Sequence, residues 1–140
     1  MSKVAVVYWS GTGNTKQMAE AVLEGAKGAG ADASIFEPDG FNADAVSEYD
    51  AIAFGCPAMG AEELEDSEFE PMFSDVENSL SGKKIALFGS YGWGDGEWMR
   101  NWEDRCSSDG VSFACDSVMA NEIPDADALK KCNALGAALV

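Results

Sequence analysis

Histidine is absent from this chain, and basic residues are scarce. The sequence has 25 aspartates and glutamates against 9 lysines and arginines, and its formal net charge is −16 at pH 7. Without histidine it lacks the commonest general base and the commonest transition-metal ligand. Its negative charge repels nucleic acid and anionic membranes. These absences argue against acid–base catalysis and nucleic-acid binding, and they indicate that a protein partner presents a basic face.

The cysteines show no paired spacing. Cys56, Cys106, Cys115 and Cys132 form no Cys-x-x-Cys motif, so we predict buried free thiols in a reducing compartment. No signal peptide or apolar run of membrane-spanning length is evident, and we therefore expect a cytoplasmic protein. A chain of 140 residues can bury a core without disulfides or metals, and residues 1–140 are predicted to form a single domain.

A hydroxyl-rich loop follows the first apolar run, residues 4–9, and precedes a segment with helical spacing. Unpaired N–H groups at a helix start, together with the positive end of the helix dipole, favour an anion. The loop offers three hydroxyls and one amide but no lysine or arginine, which suits one terminal phosphate of a tightly held ligand. The predicted phosphate site consists of Ser10, Gly11, Thr12, Gly13, Asn14 and Thr15.

Three other interpretations of this loop compete with the phosphate site. A nucleotide-hydrolysing loop requires Gly-x-x-x-x-Gly-Lys-Ser/Thr, which residues 11–16 do not supply. A dinucleotide fingerprint is half matched, because Lys16 stands where the third glycine belongs, although Glu37 lies at a plausible distance for a ribose contact. An ordinary helix start capped by serine or threonine also stays open.

Apolar runs typical of buried strands alternate with segments of helical spacing. Strands are predicted at residues 4–9, 33–36, 51–55, 84–88 and 111–118. Ser67 and Glu70 have the spacing of a capping box before the helix at 69–80, and Asp125 is expected to cap the last helix. Right-handed crossovers place helices on both faces of such a sheet. The predicted fold class is α/β, a doubly wound five-stranded parallel sheet with strand order 2-1-3-4-5.

Ligands of such sheets bind beyond the carboxyl ends of the strands, where the winding reverses. The loops at 10–15, 56–66 and 89–97 meet there. Met59 offers a polarisable thioether, and Trp93, between two glycines, offers an aromatic face, so the two could form the walls of a site for a flat ligand. The competing interpretation places Trp93 in the core with Trp98 and Trp102. We expect the acidic residues between 62 and 70 to form mostly a solvated face, and we single out only Glu62, which lies beside the site.

Five short motifs occur along the chain, four of them before residue 95 and the fifth before the last predicted helix. They are residues 8–15 (Tyr-Trp-Ser-Gly-Thr-Gly-Asn-Thr), 55–60 (Gly-Cys-Pro-Ala-Met-Gly), 68–71 (Glu-Phe-Glu-Pro), 88–94 (Phe-Gly-Ser-Tyr-Gly-Trp-Gly) and 121–125 (Asn-Glu-x-Pro-Asp). In this order, and over nearly the whole chain, they closely resemble the short-chain flavodoxins of anaerobic bacteria. The sheet described above is then flavodoxin-like.

The resemblance implies that the ligand is flavin mononucleotide (FMN), held non-covalently, and that the protein is an electron carrier and not an enzyme. It implies one-electron shuttling at low potential between redox enzymes, in the place of ferredoxin. The implied partners are oxidoreductases, reductases and hydrogenase-type acceptors with basic docking faces. We expect a monomer that binds neither nucleic acid nor membranes.

The resemblance also assigns roles to individual residues. Ser10, Thr12, Asn14 and Thr15 would hold the phosphate, while Met59 and Trp93 would enclose the flavin ring. Glu62 would accept from flavin N3–H, and the Gly60 carbonyl would face N5. The remaining residues implied to line the site are Pro57, Ala58, Ala61, Ser90, Tyr91, Gly92, Gly94 and Asn121.

Ala61 departs from the family pattern. Relatives often carry aspartate there, and if the Gly60 carbonyl turns towards N5 on reduction, Ala61 would take positive φ in a type II turn. Alanine tolerates that conformation less well.

Two functions of other classes remain. A quinone or nitro reductase of the same fold would need a substrate cavity over the flavin, which Trp93 would obstruct. A phosphorylatable receiver domain would need an acidic pocket, but Asp50 precedes the third strand and does not end it.

Overall fold

The computed structural model describes residues 2–59, 62–92 and 94–140 of the chain. The strands are β1 (Lys3–Tyr8), β2 (Asp32–Phe36), β3 (Ala51–Gly55), β4 (Lys84–Tyr91), β5 (Ser112–Phe113) and β6 (Val118–Asn121). The helices are α1 (Asn14–Gly28), α2 (Ala43–Val46), α3 (Phe69–Val76), α4 (Glu97–Ser108) and α5 (Ala126–Ala138), with 3-10 turns at Pro38–Gly40 and Glu77–Ser79.

The strands form one parallel sheet in the order β2-β1-β3-β4-β5, which confirms the predicted topology. Every residue of β3 is buried, as is every residue of β1 after Lys3. Continuous apolar runs of this kind are expected for central strands that helices cover on both sides. The winding reverses between β1 and β3, so the carboxyl ends of these strands open into the crevice where ligands of this fold bind.

The predicted fifth strand is divided into two short strands. β5 pairs with the start of β4, and β6 pairs with its end from Phe88 to Tyr91. Residues 114–117 lie opposite only Ala86 and Leu87, so the backbone has two residues more than the ladder can accommodate. The Ser117 hydroxyl donates to Glu103 of α4 at 2.7 Å, which holds the extra segment against the helix.

The apolar residues form one core on each face of the sheet. One core packs α3 and α4 against the sheet and includes Trp98 and Trp102, and the other packs α1 and α5. Helices α1 and α5 approach each other closely at two glycines: a Cβ at Gly25 would overlap the Asn133 backbone, and one at Gly136 would overlap the Val22 carbonyl. Helix α5 begins as predicted, with the Asp125 carboxylate accepting from the Ala128 amide at 2.8 Å.

The start of α3 differs from the predicted capping box. Glu70 instead pairs with Arg105 of α4 at 2.7 Å. The Ser67 hydroxyl donates to Glu65, and the Glu65 carboxylate accepts from the amides of Glu68 and Phe69 at 2.8 and 2.9 Å. The helix is therefore capped by a carboxylate that precedes it by four residues.

The thiols of Cys56, Cys106 and Cys132 are buried and free, as predicted, whereas Cys115 is free but only half-buried. Among the described residues, no helix has the length and apolar character needed to cross a membrane.

Candidate functional site

A cavity of about 580 Å³ opens at the carboxyl edge of the sheet, within the size range of small-molecule sites. Three of its walls come from the segments after β1, β3 and β4, as the position of the winding reversal predicts. A fourth comes from the segment after β6. It is lined by Trp9, Gly11, Thr12, Asn14, Pro57, Ala58, Met59, Ser90, Tyr91, Gly92, Glu122 and Ile123.

One end of the cavity lies at the start of α1. Gly13 precedes the helix in the left-handed region with φ of 94°, and its amide donates to the Ser10 hydroxyl oxygen at 3.0 Å. No side chain caps the helix, and its first turn contains no acidic residue. Because the first amides of a helix have no acceptor within it, this end is suited to an anion.

The predicted phosphate ligands fall into two groups. Thr12 and Asn14 line the cavity. Thr15 is only 1% exposed, and its hydroxyl lies 3.3 Å from that of Ser90 on β4. Thr15 therefore ties the loop to the sheet, and Ser10 shapes the turn through Gly13.

The second wall is a hairpin between β3 and α3. Met59 and Glu63 exchange backbone hydrogen bonds of 2.8 and 2.9 Å, and the Ala58 amide donates to the Ser90 carbonyl at 3.1 Å. Gly60 and Ala61, which carry the predicted N5 contact and the predicted strained turn, lie outside the described residues. Glu62, the next residue, has a φ of 58° and is in the left-handed region.

Glu62 is held at the amino end of α4. Its Oε2 accepts from the Trp98 amide at 2.9 Å, where the helix dipole favours a carboxylate. Its Oε1 is buried and has no hydrogen-bond partner in the described part of the chain. Glu62 lines a neighbouring cavity of about 200 Å³ together with Trp98, Trp102 and Arg105. One carboxylate oxygen is thus fixed, and the other is available to a donor.

The third wall includes the end of β4. The strand continues to Tyr91, three residues beyond its predicted end, so Ser90 and Tyr91 are strand residues and not part of a glycine-rich loop. The Tyr91 ring contacts that of Trp98 at a centroid distance of 5.5 Å. Trp93 lies outside the described residues, whereas Trp98 and Trp102 are core residues.

Gly94 limits the position of Glu62. It has a φ of 79°, and a Cβ at this position would overlap Glu62 Oε1. A glycine is therefore required here both by the backbone conformation and by the carboxylate beside it.

Three residues of the cavity were not predicted from the sequence. Trp9 directly precedes the phosphate loop, and its indole N–H donates to Glu68 at 3.5 Å. Glu122, with a φ of 57°, donates its amide to the Tyr91 carbonyl at 2.7 Å, and Ile123 is 71% exposed. Asn121, which was predicted, is directed by its amide to the same carbonyl at 3.4 Å. Trp9 directly follows β1, and this position in the sequence was a signal that it lines the cavity. The positions of Glu122 and Ile123 depend on the path of β6, which the sequence did not predict.

Two groups near the second wall have displaced pKa values. Burial raises the pKa of Cys56 well above its ordinary value. Burial would also raise the pKa of Glu65, but hydrogen bonds from the Ser67 hydroxyl and from three amides outweigh it and hold that pKa below its ordinary value. Glu65 is therefore an ionised, buried carboxylate.

The chain is similar to known proteins along most of its length. The family model described as flavodoxin matches residues 6–136. A flavodoxin of Megasphaera elsdenii is 50% identical over 122 residues, covering 87% of this chain and 88% of that one. A flavodoxin of Clostridium beijerinckii is 45% identical over 120 residues, covering 86% and 87%.

Solved structures agree with these matches. The solution structure of two-electron reduced Megasphaera elsdenii flavodoxin has a TM-score of 0.87 at 47% identity and covers 96% of this chain and 98% of that one. A flavodoxin from the domain Archaea has a TM-score of 0.85 at 29% identity, with coverage of 98% and 95%.

Proposed function

Because this chain belongs to the flavodoxin family, we propose that the cavity at the carboxyl edge of its sheet is the site of its cofactor. The chain is a low-potential one-electron carrier that binds FMN non-covalently and takes the place of ferredoxin between redox enzymes. It is an electron-transfer protein and not an enzyme. FMN supplies the redox chemistry, and the chain supplies the binding site and the electrostatic field.

The observation that carries this placement is the uncapped start of α1, which opens into the cavity with no acidic residue in its first turn. A terminal phosphate fits there, held by helix amides and by the side chains of Thr12 and Asn14. Ser10 and Thr15 support the loop from behind. No basic side chain lines the cavity within the described part of the chain, so neutral donors would hold the phosphate.

Glu62 supports the other end of the proposal. Its buried Oε1 has no partner among the residues that the structure describes, and a flavin N3–H would supply the donor. Met59 and Trp93 would enclose the flavin ring, with the Gly60 carbonyl towards N5 and Ala61 beside it in the turn. Pro57, Ala58, Ser90, Tyr91, Gly92, Gly94 and Asn121 would complete the site.

The net charge of −16 supports redox partners with basic docking faces, and it disfavours nucleic acid and anionic membranes as partners. Oxidoreductases, reductases and hydrogenase-type acceptors are the classes we propose. The exposed Ile123 side chain lines the cavity, the exposed Met119 side chain lines a neighbouring cavity together with Ile123, and we propose that both contact such a partner. We further propose that residues 1–140 act as one FMN-binding domain and as a monomer, and the free thiols support a reducing, cytoplasmic location.

The phosphate assignment is tested by calorimetric titration of the apoprotein with FMN and with riboflavin. FMN should bind more tightly, and Thr12→Val should weaken FMN binding by about 1–3 kcal/mol while leaving riboflavin binding unchanged, because only FMN has the phosphate. Thr15→Val is the matched control, because it removes a hydroxyl of the same loop that faces Ser90 and does not line the cavity. Equal affinities for FMN and riboflavin in the unaltered protein would contradict the assignment.

A further inference from the structure

Glu65 is a buried carboxylate with exposed acidic residues on both sides of it in the sequence. It is 4% exposed, while Glu63, Asp66 and Glu68 are exposed to solvent. Its carboxylate accepts from the amides of Ser67, Glu68 and Phe69 at 2.8, 2.8 and 2.9 Å, and from the Ser67 hydroxyl. A carboxylate with four donors is fully satisfied, so its burial stabilises one backbone arrangement strongly.

The backbone of Glu65 closes a loop. Its amide donates to Cys56 Sγ at 3.4 Å, and its carbonyl accepts from the Glu70 amide at 2.8 Å. Cys56 is itself fixed at two points, since its amide donates to the Phe88 carbonyl at 3.1 Å and its carbonyl accepts from the Trp98 indole at 3.1 Å. Residues 56–65, here called the flavin loop, therefore have their two ends joined and attached to β4, α3 and α4.

Met59 and Glu62 both lie within this closed loop. Cys56 and Glu65 hold the two ends of this loop, and between them Met59 and Glu63 exchange backbone hydrogen bonds of 2.8 and 2.9 Å. We infer that Glu65 is a positioning residue that holds the flavin loop, and with it the Glu62 carboxylate, in place while the cofactor changes its charge. This inference rests on the proposed function, because it places FMN against the flavin loop.

A fixed Glu62 has a measurable consequence. A carboxylate that cannot move away opposes the negative charge that reduction brings to the cofactor. If the loop is loosened, Glu62 can withdraw, and reduced FMN then binds relatively more tightly. The potential for the second electron should therefore become less negative. A residue that only stabilised the fold would weaken the binding of every redox form equally, so Glu65 would then affect the potentials only through its own charge.

The test compares the midpoint potentials of FMN bound to Glu65→Gln and to Glu63→Gln. The second variant is the control: it also removes one negative charge, but from an exposed side chain that lies two residues from Glu65. Relative to this control, Glu65→Gln should make the second potential less negative by about 59 mV for one electron. This shift corresponds to a change of about tenfold in the ratio of the affinities for the two redox forms of FMN that the second electron interconverts. Hydrogen exchange of the apoproteins should also show faster exchange at the Ser67, Glu68 and Phe69 amides in Glu65→Gln alone.

Equal second potentials in the two variants, or a more negative one in Glu65→Gln, would overturn the inference. Ser67→Ala removes one donor to Glu65 from an exposed position and changes no charge, and it should shift the second potential in the same direction by a smaller amount. An unchanged second potential in Ser67→Ala would also overturn the inference, because a shift in Glu65→Gln would then come from its lost charge alone. Failure of the unaltered protein to bind FMN would refute the proposed function itself, whereas normal binding with unshifted potentials would refute the role of Glu65 alone.

Discussion

Glu62 owes its position to backbone groups. The Trp98 amide binds one carboxylate oxygen, the left-handed conformation of Glu62 directs the side chain towards α4, and the absence of a side chain at Gly94 leaves room for the other oxygen. A charge held by groups that cannot rearrange acts on its surroundings without first reorienting. The position of this carboxylate is therefore sensitive to single-atom changes around it.

Replacing Gly94 with alanine should destabilise the apoprotein more than replacing Gly82. Both glycines have positive φ, but a Cβ at Gly82 meets none of the described atoms within 4 Å, whereas one at Gly94 overlaps Glu62. Gly82→Ala should cost about 1–2 kcal/mol from backbone strain alone. Gly94→Ala should cost about 1 kcal/mol more, and that excess should vanish in a Glu62→Ala background. The free energies are measured by urea unfolding of the unaltered protein, the single variants Gly82→Ala, Gly94→Ala and Glu62→Ala, and the double variant Glu62→Ala/Gly94→Ala. An excess that persists without Glu62 would contradict the contact.

The helices of the two faces are joined in different ways. Between α1 and α5, glycines allow the backbones to approach so closely that no side chain fits between them. Between α3 and α4, Arg105 contacts Glu70 and Glu77 at 2.7 Å each. The first contact depends on shape and the second on charge, so we expect them to respond to different perturbations.

Gly136→Ala in α5 should destabilise the protein by about 1–3 kcal/mol, because the added methyl group overlaps the Val22 carbonyl and forces α1 and α5 apart. Gly28→Ala at the end of α1 is the control, since its Cβ would meet nothing within 4 Å in the part of the chain that the structure describes. That control should be neutral or stabilising, because alanine is the better helix former. Chemical denaturation compares the two, and equal stability of both variants would contradict the close approach.

Asp109 gives the α3–α4 contact a pH dependence. Its pKa is raised from 3.8 to about 6 by burial and by the neighbouring Glu77, with Arg105 acting in the opposite direction. Because its folded-state pKa exceeds its ordinary value, its contribution to stability is present at low pH and is lost as pH rises towards 6.

Asp109→Asn cannot ionise, so the free energy of unfolding of this variant, minus that of the unaltered protein, should increase between about pH 4 and about pH 7. Asp104→Asn, at an exposed position of α4, removes a charge from the same helix and should show no such increase. Urea titrations at the two pH values provide the measurement. A difference that falls with pH in Asp109→Asn would show that the carboxylate is favoured by the fold.

At the scale of the whole molecule, 25 acidic residues against 9 basic ones produce a field that opposes both compaction and the reduction of a bound flavin. One carboxylate about 10 Å from the cofactor opposes reduction by about 0.4–2 kcal/mol, depending on the effective dielectric. The same excess charge thus favours a low potential and lowers the stability of the folded chain.

Added salt should stabilise the apoprotein at neutral pH. Repulsion among exposed carboxylates is screened over a Debye length of about 10 Å at 0.1 M salt, and the unfolded chain, in which the charges are farther apart, gains less. The free energy of unfolding, measured in urea with increasing sodium chloride, should rise. A decrease with salt would show that attractive pairs such as Arg105 with Glu70 outweigh the general repulsion.

Much of the fold follows from local features of the sequence. The runs at residues 4–9 and 51–55 are apolar on both faces, which only a covered central strand accommodates, and the alternation of strands and helices leaves few allowed topologies. Strand order and the place of the cavity could therefore be predicted. The loop at 10–15 could be identified because a segment rich in hydroxyls and glycine between an apolar run and a helical pattern is a local property, whereas only the structure showed that no side chain caps α1.

The sequence by itself determined the strand order, the cap of α5 and the family, because periodicity and motifs act over neighbouring residues. Only the tertiary structure decided which of several similar glutamates is exposed. Glu65 and Glu63 are alike in the sequence, yet one meets three amides and Cys56 while the other faces solvent. The division of the last strand and the approach of Glu122 to Tyr91 likewise depend on partners distant along the chain. The Cys56 Sγ that accepts from the Glu65 amide, and the Tyr91 carbonyl that accepts from the Glu122 amide, are too far from their donors in sequence to interact before the chain has folded. The three amides that bind the Glu65 carboxylate lie within four residues of it, so for this carboxylate only the burial depends on the fold.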